Sequence, residues 1–309
     1  MPRFEEFSFD SSTGANRIRA VTLIPDGEIK GTVQIVHGIA EHIDRYRGFM
    51  EFLASNGWLA AGCDNLGHGK SISREEEKGV FFPTDGWEHV VRDVRTLHGI
   101  LAEKYPVRHV IFGHSLGSFV VRQYIAEFPD AYDMAAISGT GHQPRPVVLV
   151  GNAVAKLIVR TKGYCSDGGF MSGLTMGGYL KRIPDAATPY DWLSRDAGIV
   201  KAYADDELCG FTAKAGLYAD MLAGIKNVTS PAFIGRMAAD KPVYFLSGTE
   251  DPVGEYGKGV RRAYDAFKKA GIKDVTLRLY EGGRHEMLNE TNRAEVMADL
   301  LAWLNAHAV

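Results

Sequence analysis

Apolar and polar residues follow two rhythms along this chain. Residues 3–10 and 16–24 alternate apolar with polar side chains, the period of a pair of antiparallel strands. Residues 32–36 then form a compact β-branched run that ends at His37-Gly38, as a buried strand ends before a loop. Helical spacing follows over 45–56 through Tyr46, Phe49, Met50 and Leu53, and Gly57 stops it. Further strands are predicted at 58–63, 108–112 and 134–138, with helices at 87–105 and 116–128, the latter ended by Pro129. Strands alternating with helices of this length predict a mostly parallel sheet with crossover helices on both faces.

The alternation breaks at Gly139. From 139 to 235 the pattern is helix-like pieces interrupted by Gly and Pro, without a clear buried strand. It resumes with strands at 243–247 and 275–280 and helices at 256–270 and 293–307. The predicted organisation is therefore one α/β core, residues 1–138 and 236–309, carrying a helical cap at 139–235.

Composition narrows the options. The 309 residues hold 35 Lys+Arg against 38 Asp+Glu, a balance that excludes the basic stripe of a dedicated nucleic-acid binder. Cys63, Cys165 and Cys209 are an odd number without regular spacing, which predicts free thiols in a reducing cytoplasm rather than a disulfide framework. Residues 1–7 lack the layout of a signal peptide. The longest apolar run, 147–159, is interrupted by Gly151, Asn152 and Lys156 and falls short of the roughly 18 residues needed to span a bilayer. The expectation is a soluble, cytoplasmic protein that at most touches a membrane surface. Glycine is in excess, and its density is higher over 139–235 than in the core, which predicts a mobile cap.

The chemistry concentrates at Gly113-His114-Ser115-Leu116-Gly117. This G-x-S-x-G lies directly between a predicted strand and a predicted helix, the context a nucleophile elbow requires. The turn is so tight that the neighbours of Ser115 must lack side chains, and it aims a helix N-terminus at a developing oxyanion. A serine hydroxyl needs a base. His285 follows the last predicted strand, on the sheet edge where such sites lie, whereas His114 is expected to point away and pack or cap. The acid should fall between serine and histidine in the chain. Asp251 is the choice, held by Pro252, with Glu250 the solvent-facing alternative. For the oxyanion, the backbone N–H groups of Leu116 and Ile39 are the candidate donors, with Gly38 permitting close backbone approach.

Other motifs fail on detail. Gly69-Lys70-Ser71 imitates a P-loop tail, but Asp64 stands where the leading Gly belongs. His37, Glu41 and His42 imitate a zinc site with the wrong spacing and no helix to ride on. No G-x-G-x-x-G follows the first parallel strand. Neither metal nor cofactor is expected.

The segments His37-Gly38-Ile39-Ala40-Glu41-His42 with Arg45-Tyr46, Asp64 to Ser71, Asp251 to Gly254 and Arg284 to Glu290 together resemble the monoacylglycerol lipase and lysophospholipase group of α/β-hydrolases. The resemblance runs from about residue 10 to the C-terminus and is weaker over 139–235. Leu66 stands where the group more usually has arginine, and Leu116-Gly117-Ser118 where it often has Met-Gly-Gly. It implies an α/β-hydrolase fold and a cofactor-free serine hydrolase acting on a small-molecule ester, a single-chain lipid ester first of all. A general short-chain carboxylesterase, thioesterase or peptidase on the same triad is the nearer rival, and a non-catalytic binding module the more distant one. The apolar stretch 147–154 is read first as a cap helix over the site. The second reading is a lid that dips into lipid or micelle surfaces, with Lys156, Arg160 and Lys162 near headgroups.

Overall fold

The computed structural model describes residues 1–308. The chain opens with strands β1 (Arg3–Asp10) and β2 (Arg17–Ile24), which pair antiparallel. Next come β3 (Gly31–Val36), helix α1 (Arg47–Ser55), β4 (Trp58–Cys63), α2 (Gly86–Lys104), β5 (His109–His114), α3 (Leu116–Glu127) and β6 (Met134–Ser138). Five helices and no strand follow: α4 (Arg145–Lys162), α5 (Gly169–Met176), α6 (Ala197–Asp205), α7 (Ala215–Val228) and α8 (Pro231–Ile234). The chain ends with β7 (Val243–Gly248), α9 (Lys258–Lys269), β8 (Val275–Tyr280) and α10 (Arg293–Ala306).

The eight strands form one sheet in the order β1-β2-β4-β3-β5-β6-β7-β8. Every pairing from β4 to β8 is parallel, and β1 and β2 extend one side antiparallel. This is the α/β-hydrolase fold. β3, β4 and β5 are buried at every position, because helices cover both faces and a parallel strand must then be apolar throughout. β2 departs from a simple half-buried strand. Seven of its eight residues are buried, including Arg19, whose guanidinium meets Glu6 at 2.5 Å, Asp44 at 2.9 Å and Asp64 at 3.3 Å.

Two further differences arise at helix starts. The predicted helix at 45–56 begins as a 3-10 turn, Ile43–Tyr46, before α1. The predicted helix at 256–270 begins only at Lys258, because Glu255 and Tyr256 have φ of 50° and 57° and form a turn instead. The stretch between β6 and β7 does not stand apart from the rest. Leu217, Tyr218 and Ala219 of α7 are buried in the same apolar cluster as Phe119 and Val120 of α3. No helix is long and apolar enough to cross a membrane among the described residues.

Candidate active site

The β5-to-α3 connection is a single residue, Ser115, with φ 54° and ψ −120°. A non-glycine residue in that region costs on the order of 1–3 kcal/mol and persists only where its surroundings enforce it. Here the enforcement is visible. A Cβ on Gly113 would run into the Gly117 carbonyl, and one on Gly117 would overlap the Val36 carbonyl. Ser115 N–H donates to the Ser138 carbonyl at 3.0 Å, and Ser118 Oγ donates to the Ser115 carbonyl at 2.5 Å. The side chain of Ser115 is thereby lifted to the carboxyl edge of the sheet, where it lines a cavity together with His285 and Ile39.

The structure brings His285 and Asp251 together at that edge. His285 Nδ1 lies 2.9 Å from Asp251 Oδ1, and against a carboxylate, which only accepts, Nδ1 carries the proton. Nε2 on the opposite side of the ring is buried and has no hydrogen-bond partner in the protein. Asp251 also accepts from Ser247 Oγ and from the Val253 N–H, both at 2.9 Å. Glu250, beside it, is exposed. Burial alone would lower the His285 pKa, but the charge and hydrogen bond of Asp251, followed by Glu286 and Glu41, hold it above the ordinary histidine value. For Asp251 burial pushes up, and the pairing with His285 outweighs it and holds the carboxyl below its usual range.

Leu116 is the first residue of α3, so its N–H has no acceptor within the helix. Ile39 faces the same space from the 37–42 loop. That loop is fixed by Glu41, whose Oε1 accepts from the Gly38 N–H at 2.5 Å and from Tyr46 Oη at 2.9 Å. Arg45 then joins Glu41 to Glu286, with each carboxylate 2.6 Å from its guanidinium. The loop before α1 and the loop carrying His285 are thus tied by a buried Glu–Arg–Glu triad. Glu41, Arg45 and Glu286 were visible in the sequence only as letters of the quoted motifs. What reveals their role is a pairing across 241 residues, which no local pattern encodes.

His114 is placed differently from the sequence expectation. It is buried and packs, but against the site: its ring centroid is 4.6 Å from that of His285, and Nδ1 is 3.2 Å from Ser138 Oγ. Burial, with His285 alongside, pushes its pKa down to about 4, so it is neutral near pH 7. On another side His285 meets Trp192, at 5.0 Å between centroids, a residue outside every recognised motif. The P-loop lookalike is a structural turn in which buried Asp64 accepts from the N–H groups of Ile43 at 2.8 Å and Lys70 at 2.9 Å.

Two cavities meet at Ser115. One, about 360 Å³, is lined by Glu41, His114, Tyr190, Thr212, His285 and Glu286 among others. The other, about 770 Å³, is walled by apolar side chains of α4, α5 and α7, including Val150, Val154, Leu174, Met221, Leu222 and Ile225. Ile39, Ser115, Met176, Tyr179, Trp192 and Tyr218 border both.

An α/β-hydrolase sheet carrying a serine on the strand-to-helix elbow defines a protein of serine-hydrolase type. Within that class the chain belongs to the family described as serine aminopeptidase, S33, whose pattern matches residues 27–292. It is 28% identical over 306 residues to a monoacylglycerol lipase of Mycolicibacterium smegmatis, spanning 98% of this chain and 97% of that protein. A thermostable carboxyl esterase from Bacillus coagulans, solved with glycerol, superposes with a TM-score of 0.92 at 29% identity over 99% of both chains. Monoglyceride lipase of Saccharomyces cerevisiae, at 18% identity and a TM-score of 0.78 over 100% of this chain and 96% of that one, shares the fold.

Proposed function

We propose that this chain is a serine carboxylic-ester hydrolase acting on single-chain lipid esters, of the monoacylglycerol or lysophospholipid kind. Ser115 Oγ attacks the ester carbonyl while His285 Nε2 takes its proton, and Asp251 orients the ring and stabilises the imidazolium. The N–H groups of Ile39 and Leu116 hold the oxyanion. His285 returns the proton to the leaving alcohol, and the same nitrogen then activates the water that hydrolyses the acyl-enzyme.

The observation that carries the substrate class is the pair of cavities meeting at Ser115. The larger, apolar one suits an acyl chain, and the smaller one, with its carboxylates and hydroxyls, suits a polyol or other polar leaving group. The names of the relatives support the same class. In this reading residues 139–235 close over the site as a cap between two stretches of core, 1–138 and 236–309. The side chains of Val147, Val150, Phe170 and Leu174 are exposed and also line the larger cavity, so its mouth is the surface expected to meet a membrane or micelle.

A fluorophosphonate should label the folded protein at Ser115, and Ser115→Ala should lose both labelling and at least about a thousandfold in kcat. Retained hydrolysis in that variant ends the reading. A panel of glycerol esters of rising acyl length should show kcat/KM increasing toward long chains, with diacyl substrates poor. A preference for the shortest acyl groups would instead place the chain with the short-chain carboxylesterases.

A further inference from the structure

Exposed apolar side chains and unpaired positive charge gather on the same part of this molecule. Among the described residues, six of the nine large apolar side chains left exposed belong to α4 and α5: Val147, Leu149, Val150, Leu157, Phe170 and Leu174. Arg145, Lys156, Arg160 and Lys162 of α4 are also exposed, and none of the four is in an ion pair among the described residues. From 145 to 176 the only carboxylate is Asp167, whose Oδ2 accepts from the Gly169 N–H at 2.9 Å where α5 starts. The rest of the chain holds 31 Lys+Arg against 37 Asp+Glu, so a net negative molecule presents its bare apolar ridge among unopposed cations.

Helix stability does not ask for this arrangement. Lys156 and Arg160 stand four residues apart on one helix face, where like charges repel. Arg145 is in the first turn of α4, at the positive end of the helix dipole, where a carboxylate would be favoured and none is present. Only Arg160 and Lys162, in the last turn, complement the dipole. α9 supplies the contrast. It is as basic, with Lys258, Arg261, Lys268 and Lys269 exposed, but it buries Val260 and Phe267 and exposes no large apolar side chain. The cations of α9 are a solvated face, whereas those of α4 share their helix with a ridge that water does not suit.

We infer that α4 and α5 dock on an anionic lipid bilayer, with their aliphatic side chains at the acyl boundary and Lys156 and Arg160 at the phosphates. The inference rests on the proposal that the mouth of the larger cavity meets lipid, and it names the lipid. An apolar layer beneath a negatively charged one is the surface that this combination of side chains complements. Lysine and arginine lay their methylenes along apolar surface and keep their charge at headgroup level, so the two kinds of contact do not compete. A nucleic acid offers phosphates but no apolar layer for the six exposed side chains to enter. Because the rest of the chain is net negative, the bilayer that attracts α4 repels the remainder and turns the mouth of the larger cavity toward itself.

Sedimentation of the full-length protein with vesicles tests this without turnover in the readout. Phosphatidylcholine vesicles containing phosphatidylglycerol should bind at least about tenfold more tightly than phosphatidylcholine alone, and high salt should erase the difference. The double variant Lys156→Gln/Arg160→Gln should lose at least about fivefold on the anionic vesicles and nothing on the neutral ones. Lys268→Gln/Lys269→Gln on α9 should match wild type on both, and unchanged hydrolysis of a short soluble ester shows that each variant is folded. Equal binding to the two vesicles, an equal loss in the α9 variant, or displacement by millimolar inorganic phosphate at constant ionic strength each overturns the assignment. Binding to neither vesicle also ends the proposal that the cavity mouth meets lipid. Ser115→Ala should bind vesicles as wild type does, so failure of the proposed ester chemistry is read separately from failure here.

Discussion

Two pieces of the stretch between β6 and β7 both border the larger cavity and are held in different ways. Residues 190–210 are fastened to both loops of the site. Trp192 and Leu193 carbonyls accept from the N–H groups of His285 at 3.3 Å and Glu286 at 2.8 Å, Arg284 donates to the Asp191 and Ser194 carbonyls, and Tyr203 lies under the Arg45 guanidinium at 4.7 Å. α4 is held by apolar packing on one face alone, chiefly against α7. Of its 18 residues only Val148, Asn152 and Ala155 are buried, while Val147, Leu149, Val150 and Leu157 are exposed. Backbone hydrogen bonds and buried charge over-determine the first piece, and apolar packing on one side alone determines the second. Opening costs least where few residues are buried, so the proposed reading puts motion and lipid contact at α4 and α5 and the placement of His285 at 190–210.

The largest expected effect breaks the fastened side. Arg45→Met leaves Glu41 and Glu286 as buried carboxylates without their cation, at a cost of about 3–5 kcal/mol. The urea midpoint should fall accordingly, and Arg45→Lys should restore only part of it because one ammonium cannot span two carboxylates as the guanidinium does. A loss of unfolding free energy under about 1 kcal/mol would show that the triad holds nothing together.

The same triad reaches the chemistry through pH. In the proposed mechanism the base must be neutral to accept a proton, and His285 is held above the ordinary histidine value, so protonation should inactivate it at a higher pH than for a free imidazole. The acid limb of kcat/KM should have its midpoint above about 6.5 and fall tenfold per pH unit below it. Glu286→Gln removes one of the carboxylates that raise His285, and its limb should move to lower pH. A limb that stays in place leaves the shift to Asp251 and Glu41.

How far the sequence could be read follows the same division. Strand positions and the strand-to-helix turn at Ser115 were legible because each is set locally, by period or by glycines that leave no room. The pairing of Asp251 with His285 agrees with that reading. Arg45 to Glu286, Trp192 against His285 and His114 turned toward the ring were not legible, because each depends on where distant segments meet. The glycines between β6 and β7 were read as a sign of mobility, yet a Cβ on Gly224 would overlap the Trp87 ring, and one on Gly216 the Tyr164 ring. On α7 glycine is there for close packing, and the open sites, such as Gly163 and Gly173, lie on the α4–α5 side.

The remaining tests sharpen the loosely held side. Val150→Asp places a charge on the exposed mouth of the larger cavity, so vesicle-borne long-chain esters should suffer several-fold while a short soluble ester is spared. Stability should change by no more than about 0.5 kcal/mol, as for other exposed positions. Equal losses on both substrates would mean that α4 shapes the site itself and is no docking surface.

The smallest effect separates docking from lining. Leu157 is as exposed as Val150 and sits on the same helix, but it does not border the cavity. If α4 meets lipid along its outer face, Leu157→Gln should weaken vesicle sedimentation by up to about threefold, the loss of one partly inserted side chain. Hydrolysis of the same ester presented below its micellar concentration should be unchanged. If only the mouth of the cavity matters, Leu157→Gln should match wild type in both assays while Val150→Asp fails with vesicles. The first outcome makes the whole outer face of α4 a membrane surface. The second confines contact to the rim formed by Val147, Val150, Phe170 and Leu174, where one set of side chains would both touch the lipid and receive the acyl chain from it.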